Sequence, residues 1–282
     1  MSYARRRKII SAIAEGLCAV AVILALLPLA MILFYVIKQG FTSLNWAFFT
    51  QMPKPVGETG GGMANAIVGT LVLIAIAASV AVPIGCICGV HLAEYTDSKF
   101  SSIVRFAADV LNGVPSIVFG MFAYIIAVLP VKRFSALAGG LALGFIMIPI
   151  VVRTTEELLR LVPSGLREGA LALGATRSRA VFTVILPAAL PGILTGILVA
   201  TARVAGETAP LLFTAFGNAF WSTSPVQPIA SLTQQVFLYA NSAYEDWHRQ
   251  AWAGAFLLVV MILTLSIAAR FAVRRLERMN RP

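Results

Sequence analysis

Six stretches of this chain run without a charged side chain for about the 20 residues that a helix needs to cross a bilayer: 16–37, 59–90, 110–131, 134–152, 180–202 and 250–269. No water-soluble fold buries so much contiguous apolar surface. With 59% hydrophobic residues against 12% charged, the bilayer itself has to act as solvent. The sequence therefore predicts an all-α integral membrane protein with six transmembrane helices. The second run is longer than one crossing, and Gly60, Gly61 and Gly62 mark a loop before its helix. The fifth is expected to continue past Arg203 towards Phe216, because apolar character resumes at Ala209. The first follows Arg5, Arg6, Arg7 and Lys8 as a signal sequence would. Its apolar core is longer than a signal core and no small-residue cleavage site follows, so a retained helix is expected.

Lysines and arginines set the orientation. Sixteen of the 22 lie before the first run, between the second and third, between the fourth and fifth, or after the sixth. Five lie in the alternate connections, and Arg203 is counted within a helix. The positive-inside rule then puts both termini in the cytoplasm. Loops account for the net charge of +10, and the clustered basic stripe that nucleic acid requires is missing. The longer connections 39–62 and 217–249 are expected to face outward. Both are aromatic, with Phe41, Trp46, Phe48 and Phe49 in one and Phe220, Trp221, Phe237, Tyr239, Tyr244 and Trp247 in the other. An interfacial belt and a docking surface for an external partner fit these rings equally well.

Arg203 and Glu207 stand out because a charge at the centre of a membrane helix costs about 2.5–3.5 kcal/mol on insertion scales. Four residues apart, they share one helix face and can pair. Pairing offsets only part of the desolvation. Two readings stay open: a structural ion pair, or a polar step on the route of a charged cargo. For the second, the arginine fork suits phosphate or carboxylate. Glu207 can steady that fork, or accept a hydrogen bond from a protonated oxyanion such as hydrogen phosphate. Gly206 and Pro210 can loosen the helix and free backbone groups for the same site. Arg153, read alone, is a positive-inside anchor. Arg105 and Asp109 are expected to pair near the membrane surface, and His91 and Glu94 to mark the end of the second helix. His248, beside Glu245 and Asp246, reads as a solvated helix start rather than a metal site. Cys18, Cys86 and Cys88 all fall in apolar runs, and Cys86 and Cys88 do not share a helix face, so no metal site or disulfide framework is implied.

Between the fourth and fifth runs, residues 163–187 are too polar for lipid and too regular for a plain linker. Pro163 and Ser164 open a short helix with Ser164 as its N-cap. Leu166, Ala170 and Leu173 give it one apolar face, and Gly174 ends it as a C′ glycine would. Thr176 caps a second helix carrying Arg177 and Arg179 that runs into Pro187. This helix-turn-helix carries Glu168-Gly169-Ala170, Gly174, Leu186 and Pro187 at the spacing of the EAA loop of ABC importer permeases, which it resembles, with Gly for the first Ala and Val184 for Ile. The resemblance implies that these residues dock in a cleft of a cytoplasmic ATPase and transmit its closure.

A wider resemblance covers most of residues 60–252. "RVAGET" from Arg203 looks like the R-x-x-G-E-T segment of phosphate-specific ABC permeases, and "LNGVPSIVFG" and "GGGMANAIVGTL" are similar to two further segments of that family. "NAFWSTSPVQPIASLTQQVF" and "YEDWHRQAW" resemble its PstA-type branch rather than its PstC-type branch. The resemblance implies a type I ABC importer permease of MetI-like architecture in a bacterial inner membrane. Residues 1–58 would form a tail, first helix and outer loop, and 59–282 the permease domain. Implied partners are a PstC-type second permease, a PstB-type ATPase dimer that uses ATP-Mg, and an external PstS-type phosphate-binding protein. It also implies that Arg203, Glu207 and Arg153 line the route of inorganic phosphate. No G-x-x-x-x-G-K-[ST] pattern occurs, so this chain is not expected to hydrolyse ATP or to hold a cofactor. The rival expectations are a sulfate or molybdate permease, an ion-coupled secondary transporter with Glu207 as proton carrier, and a membrane sensor without transport.

Overall fold

The computed structural model describes residues 3–279. Among them regular structure is helical, with one isolated bridge between Phe216 and Ile229 and no sheet. In chain order the helices are α1 (Tyr3–Ser43), α2 (Trp46–Thr50), α3 (Ala64–Glu94), α4 (Lys99–Gly113), α5 (Ser116–Ala123), α6 (Ala136–Arg160), α7 (Ser164–Ala172), α8 (Arg177–Ala180), α9 (Leu186–Ala205), α10 (Ala209–Leu212), α11 (Leu232–Ala240) and α12 (Glu245–Met279). A π-helical turn, Tyr124–Val128, extends α5, and another, Val181–Ile185, joins α8 to α9. Five continuous helices are long and apolar enough to cross a membrane: α1, α3, α6, α8 through α9, and α12. Arg281, one of the basic residues used for orientation, lies outside the described residues.

The third predicted crossing is not one straight helix. α4 and α5 meet at a bend of 106°, where Val114 and Pro115 adopt extended ψ values of 132° and 136°. A residue before proline is driven out of the α region, and proline itself brings no N–H to continue the ladder. The thirteen residues from Ser116 to Val128 rise only about 20 Å. The expected start at residue 110 falls inside α4, whose polar residues set it apart from the crossing.

α6 is the centre of the bundle. α3 runs parallel to it in close approach: a Cβ on Gly85 would meet Val151 Cβ at 2.6 Å, and one on Gly89 would meet Thr155 Cβ at 2.6 Å. α9 runs antiparallel on another side, where Gly192 and Gly196 leave room for Leu158 and Thr154. Small residues at these crossings bring backbones together, the device that packs helices where lipid removes the hydrophobic drive. α1 buries little of its own surface and attaches at its C-terminal end to α12, through Gly40 against Phe256 and Tyr35 against Trp252, ring centroids 5.5 Å apart.

The connection 217–249 departs from its expected character as a loop. Ile229, Ala230, Ser231 and Leu232 are buried inside the end of the bundle that carries the N-termini of α3 and α6. Gly69 admits the Ala230 carbonyl, Thr70 Oγ1 accepts the Leu232 N–H at 2.8 Å, and Asn65 Nδ2 donates to the Asn218 carbonyl at 2.7 Å. Carbonyls from the same connection take the first free N–H groups of α6: Gln227 O from Ala136 at 2.9 Å and Pro225 O from Leu137 at 2.8 Å. A buried helix start needs such partners. The aromatic residues divide accordingly. Phe48 and Tyr239 are core, Tyr239 stacking on Trp247 at 4.3 Å, while Phe41, Trp46, Phe220 and Trp221 are exposed. His91 and Glu94 do close α3, and Glu245, Asp246 and His248 do open α12.

Candidate functional site

Charged side chains divide the bundle into a basic end, bearing Arg153, Arg160, Arg167 and Arg177, and the opposite end just described. α9 runs from the first towards the second. It stops at Ala205, short of the expected Phe216. Gly206 caps it, and after the break the chain resumes as the single turn α10. Arg203 and Glu207 therefore do not share one helix face, and of the two open readings the structural ion pair is not seen among the described residues. The Glu207 N–H bonds back to Val204 O at 3.1 Å, and its carbonyl accepts the buried Thr233 hydroxyl at 2.9 Å. Pro210 is what ends continuity, and it is buried against Gly120 of α5, where a Cβ would meet Pro210 Cα at 2.6 Å. Arg203 is exposed on α9, one turn beyond exposed Val199, and has no carboxylate partner among the described residues. Seven residues separate it from Gly196, which faces Thr154, so it lies about 10 Å further along α9, level with the middle of α6.

Arg153 lies near Thr154 and is fully engaged. Its Nε meets Asp109 Oδ1 at 3.0 Å, and one terminal nitrogen donates to Glu156 Oε2 at 3.0 Å. Glu157 lies further off, at 3.9 Å. Glu156, 1% exposed, collects three arginines, because Arg105 and Arg160 approach its other oxygen at 2.9 Å and 2.8 Å. Arg105 Nε donates in good line, whereas its NH2 group sits at 2.9 Å outside hydrogen-bonding geometry. The expected Arg105–Asp109 pair is thus replaced by two cross-helix contacts, Arg105 to Glu156 and Asp109 to Arg153. A buried carboxylate needs full compensation, which the three guanidinium groups supply. The 153/156/157/160 spacing on α6 signals part of this network, but Arg105 stands 51 positions from Glu156 and no pattern links them.

At the basic end α7 protrudes and buries none of its residues. Pro163 holds the N-cap position with no side-chain cap, so Ser164 is the first helical residue rather than the expected cap. Its other end matches expectation. Gly174 has φ +83°, its N–H bonds to Leu171 O at 2.9 Å, and Ala175 N–H bonds to Ala170 O at 3.1 Å. These two bonds make a Schellman motif, which needs a left-handed residue at that position. Thr176 caps α8 through the Arg179 N–H at 3.3 Å. Glu168 is exposed, Gly169 has no neighbour within 4 Å of a built Cβ, and Ala170 is half-buried. Leu166, Leu171 and Leu173 are exposed, Leu173 by 91%. Leu186 packs partly against the Leu159–Ile193 core, while Pro187 opens α9. This chain leaves an apolar helical surface open at its basic end.

A bundle of membrane helices with one of them broken beside an unpaired arginine, and a protruding two-helix loop at the basic end, has the form of a transporter's membrane subunit. The family description "Binding-protein-dependent transport system inner membrane component" matches residues 81–281, and the chain belongs to that family. It is 45% identical to the phosphate transport system permease protein PstA of Yersinia pestis, over 94% of this chain and 90% of that one. It is 44% identical to the protein of the same name from Xylella fastidiosa, over 96% and 95%. The probable counterpart from Methanocaldococcus jannaschii is 35% identical over 89% of each chain. Among solved structures, an inward-facing conformation of the MetNI methionine ABC transporter shares the fold with a TM-score of 0.61, at 20% identity, over 76% of this chain and 97% of that one.

Proposed function

We propose that this chain is one of two membrane subunits of an ATP-driven importer of inorganic phosphate, and passes the anion by alternating access. The observation that carries the reading is Arg203: an exposed guanidinium without a carboxylate partner, at a helix break halfway through the bundle, in a chain whose relatives are named for phosphate transport. A guanidinium fork left unpaired in a membrane helix is costly and suits a tetrahedral oxyanion. Glu207 stands across the break and accepts a hydrogen bond from the protonated oxygen of hydrogen phosphate. Arg153, about 10 Å nearer the basic end by helix rise, is held by carboxylates, so the anion meets it only by displacing one of them.

The basic end faces the cytoplasm, as do both termini, and the membrane is a bacterial inner membrane. There α7, with Glu168 and Gly169 outward, Ala170 beside them and Gly174 setting the turn, seats in a cleft of one of two ATPases, which bind ATP-Mg and hydrolyse it. Leu186 and Pro187 lead the movement into α9. A homologous PstC-type permease completes the pathway, and a PstB-type ATPase and a PstS-type binding protein complete the importer. The exposed rings of the opposite end meet the binding protein. Proteoliposomes holding the complete importer test this, with labelled phosphate and labelled sulfate offered separately. Phosphate uptake that requires ATP, and no sulfate uptake, is expected. Uptake driven by a proton gradient without ATP, or equal uptake of sulfate, would overturn it.

A further inference from the structure

The joints that tie the protruding loop to the bundle are weak in the covalent sense. α7 connects to α6 through the turn at Leu161 to Pro163, and to α8 through left-handed Gly174. α8 runs on without a break into α9, so α7 is the part of the loop with a joint at each end. Among the described residues, the ion pairs from the loop to the rest of the bundle go to α3, at Glu94. This carboxylate is 6% exposed and receives Arg167 of α7 and, at 3.4 Å, Nε of Arg177 of α8. Arg177 also donates to the Glu94 backbone carbonyl, one of the unpaired carbonyls at the end of α3, and its guanidinium carbon lies 5.0 Å over the Tyr95 ring. One residue thus joins both helices of the loop to the tip of α3. α3 in turn is locked along α6 at Gly85 and Gly89.

We propose that Glu94 is the positioning residue through which movement of the loop is delivered to α3, so that α3 and α6 turn together with the loop when the ATPases close. This rests on the reading of α7 as the ATPase seat. Held only by its covalent joints, α7 would swivel against the bundle, and hydrolysis would proceed without transport. With two arginines on one buried carboxylate, a push on either helix of the loop draws α3 with it. Glu168, which points away, has no part in this clamp.

The test is the complete importer in proteoliposomes carrying Glu94→Gln, Arg167→Gln or both, with phosphate uptake and ATP hydrolysis measured in the same sample. For Glu94→Gln, phosphate moved per ATP hydrolysed is expected to fall about fivefold or more, the lower range of coupling between sites, while hydrolysis and the amount of co-purified ATPase stay near the wild-type level. The double variant is expected to be no worse than the more affected single one, as two partners of one contact require. An unchanged ratio, strictly additive losses, or loss of the ATPase from the Glu94→Gln complex would each overturn the proposal. A cysteine at Gly169 in the otherwise unaltered importer reports on the underlying reading separately: failure to cross-link to the ATPase would remove the seat itself, whatever Glu94 does.

Discussion

Glu156→Gln is the most informative single change to the bundle. It keeps the side chain's shape and removes the charge that three guanidinium groups share. Removing one partner of a buried ion pair costs about 3–5 kcal/mol, most of it for the charge left behind. Here Arg160 is 41% exposed and recovers water, and Arg153 keeps Asp109 and Glu157. Arg105, 23% exposed, loses its carboxylate altogether. We therefore place the loss at the low end, about 3 kcal/mol. Ala108→Cys reports on it directly, because Ala108 is buried on α4, three residues from Arg105, in a cluster with Val152 of α6. In detergent, with Cys18, Cys86 and Cys88 replaced by serine, the rate at which a maleimide labels that cysteine measures opening of α4 from α6. At 1.4 kcal/mol for each factor of ten, labelling is expected to quicken roughly 100-fold. Glu157→Gln is the control, since that side chain is 66% exposed and sits 3.9 Å from Arg153. An exposed pair is worth about 0–1 kcal/mol, so labelling should change by less than about fivefold. Equal labelling rates in the two variants would refute the claim that Glu156 holds the basic end together.

Gly196→Val pushes a branched side chain into Thr154, and overpacking of this kind costs about 1–3 kcal/mol. A lowered melting temperature in detergent checks it. A Cβ at Gly169 meets nothing within 4 Å in this chain, so the melting temperature of Gly169→Leu should match wild type while ATPase pull-down weakens. Gly174→Ala places a Cβ at φ +83°, at a cost of about 1–2 kcal/mol, and faster proteolysis within 164–176 is the expected sign. Thr70→Val leaves the buried Leu232 N–H without its acceptor, a loss of about 1–3 kcal/mol. A cysteine placed at Ala230 should then label faster than in the parent.

Much of the bundle was legible in charge-free runs, because a bilayer forces every crossing to satisfy its backbone internally and to show lipid an apolar face. Four predicted crossings agree with α1, α3, α6 and α12 apart from their ends, which extend into polar residues. The third bends at Pro115, and the fifth, whose run 180–202 lies within the helix Arg177–Ala205, loses only its expected extension towards Phe216, at the break before Pro210. Pro115 lies inside a run that hydropathy alone reads as continuous, and Pro210 follows Gly206 where apolar character resumes. In both places the backbone turns although the side chains stay apolar, and hydropathy does not register backbone. The buried course of Ile229 to Leu232 was hidden for a related reason: its apolar run is too short to read as a crossing, and its polar flank finds partners on α3 and α6. Gly174 and Thr176 were readable because each acts within one turn of itself. Glu94 was not, and Glu156 was only in part, because Arg167, Arg177 and Arg105 lie on other helices and only the fold brings them to these carboxylates.

Arg203 remains the point on which the functional account turns, and one measurement reaches it. Replacing Arg203 by leucine in the complete importer and following labelled phosphate uptake compares the guanidinium with a shorter, apolar side chain. Loss of one partner of a desolvated charge pair costs about 2 kcal/mol or more, so uptake at low phosphate should fall by about thirtyfold or more. ATPase co-purification should be intact and Arg203→Lys intermediate. Undiminished phosphate uptake by the leucine variant would contradict the account.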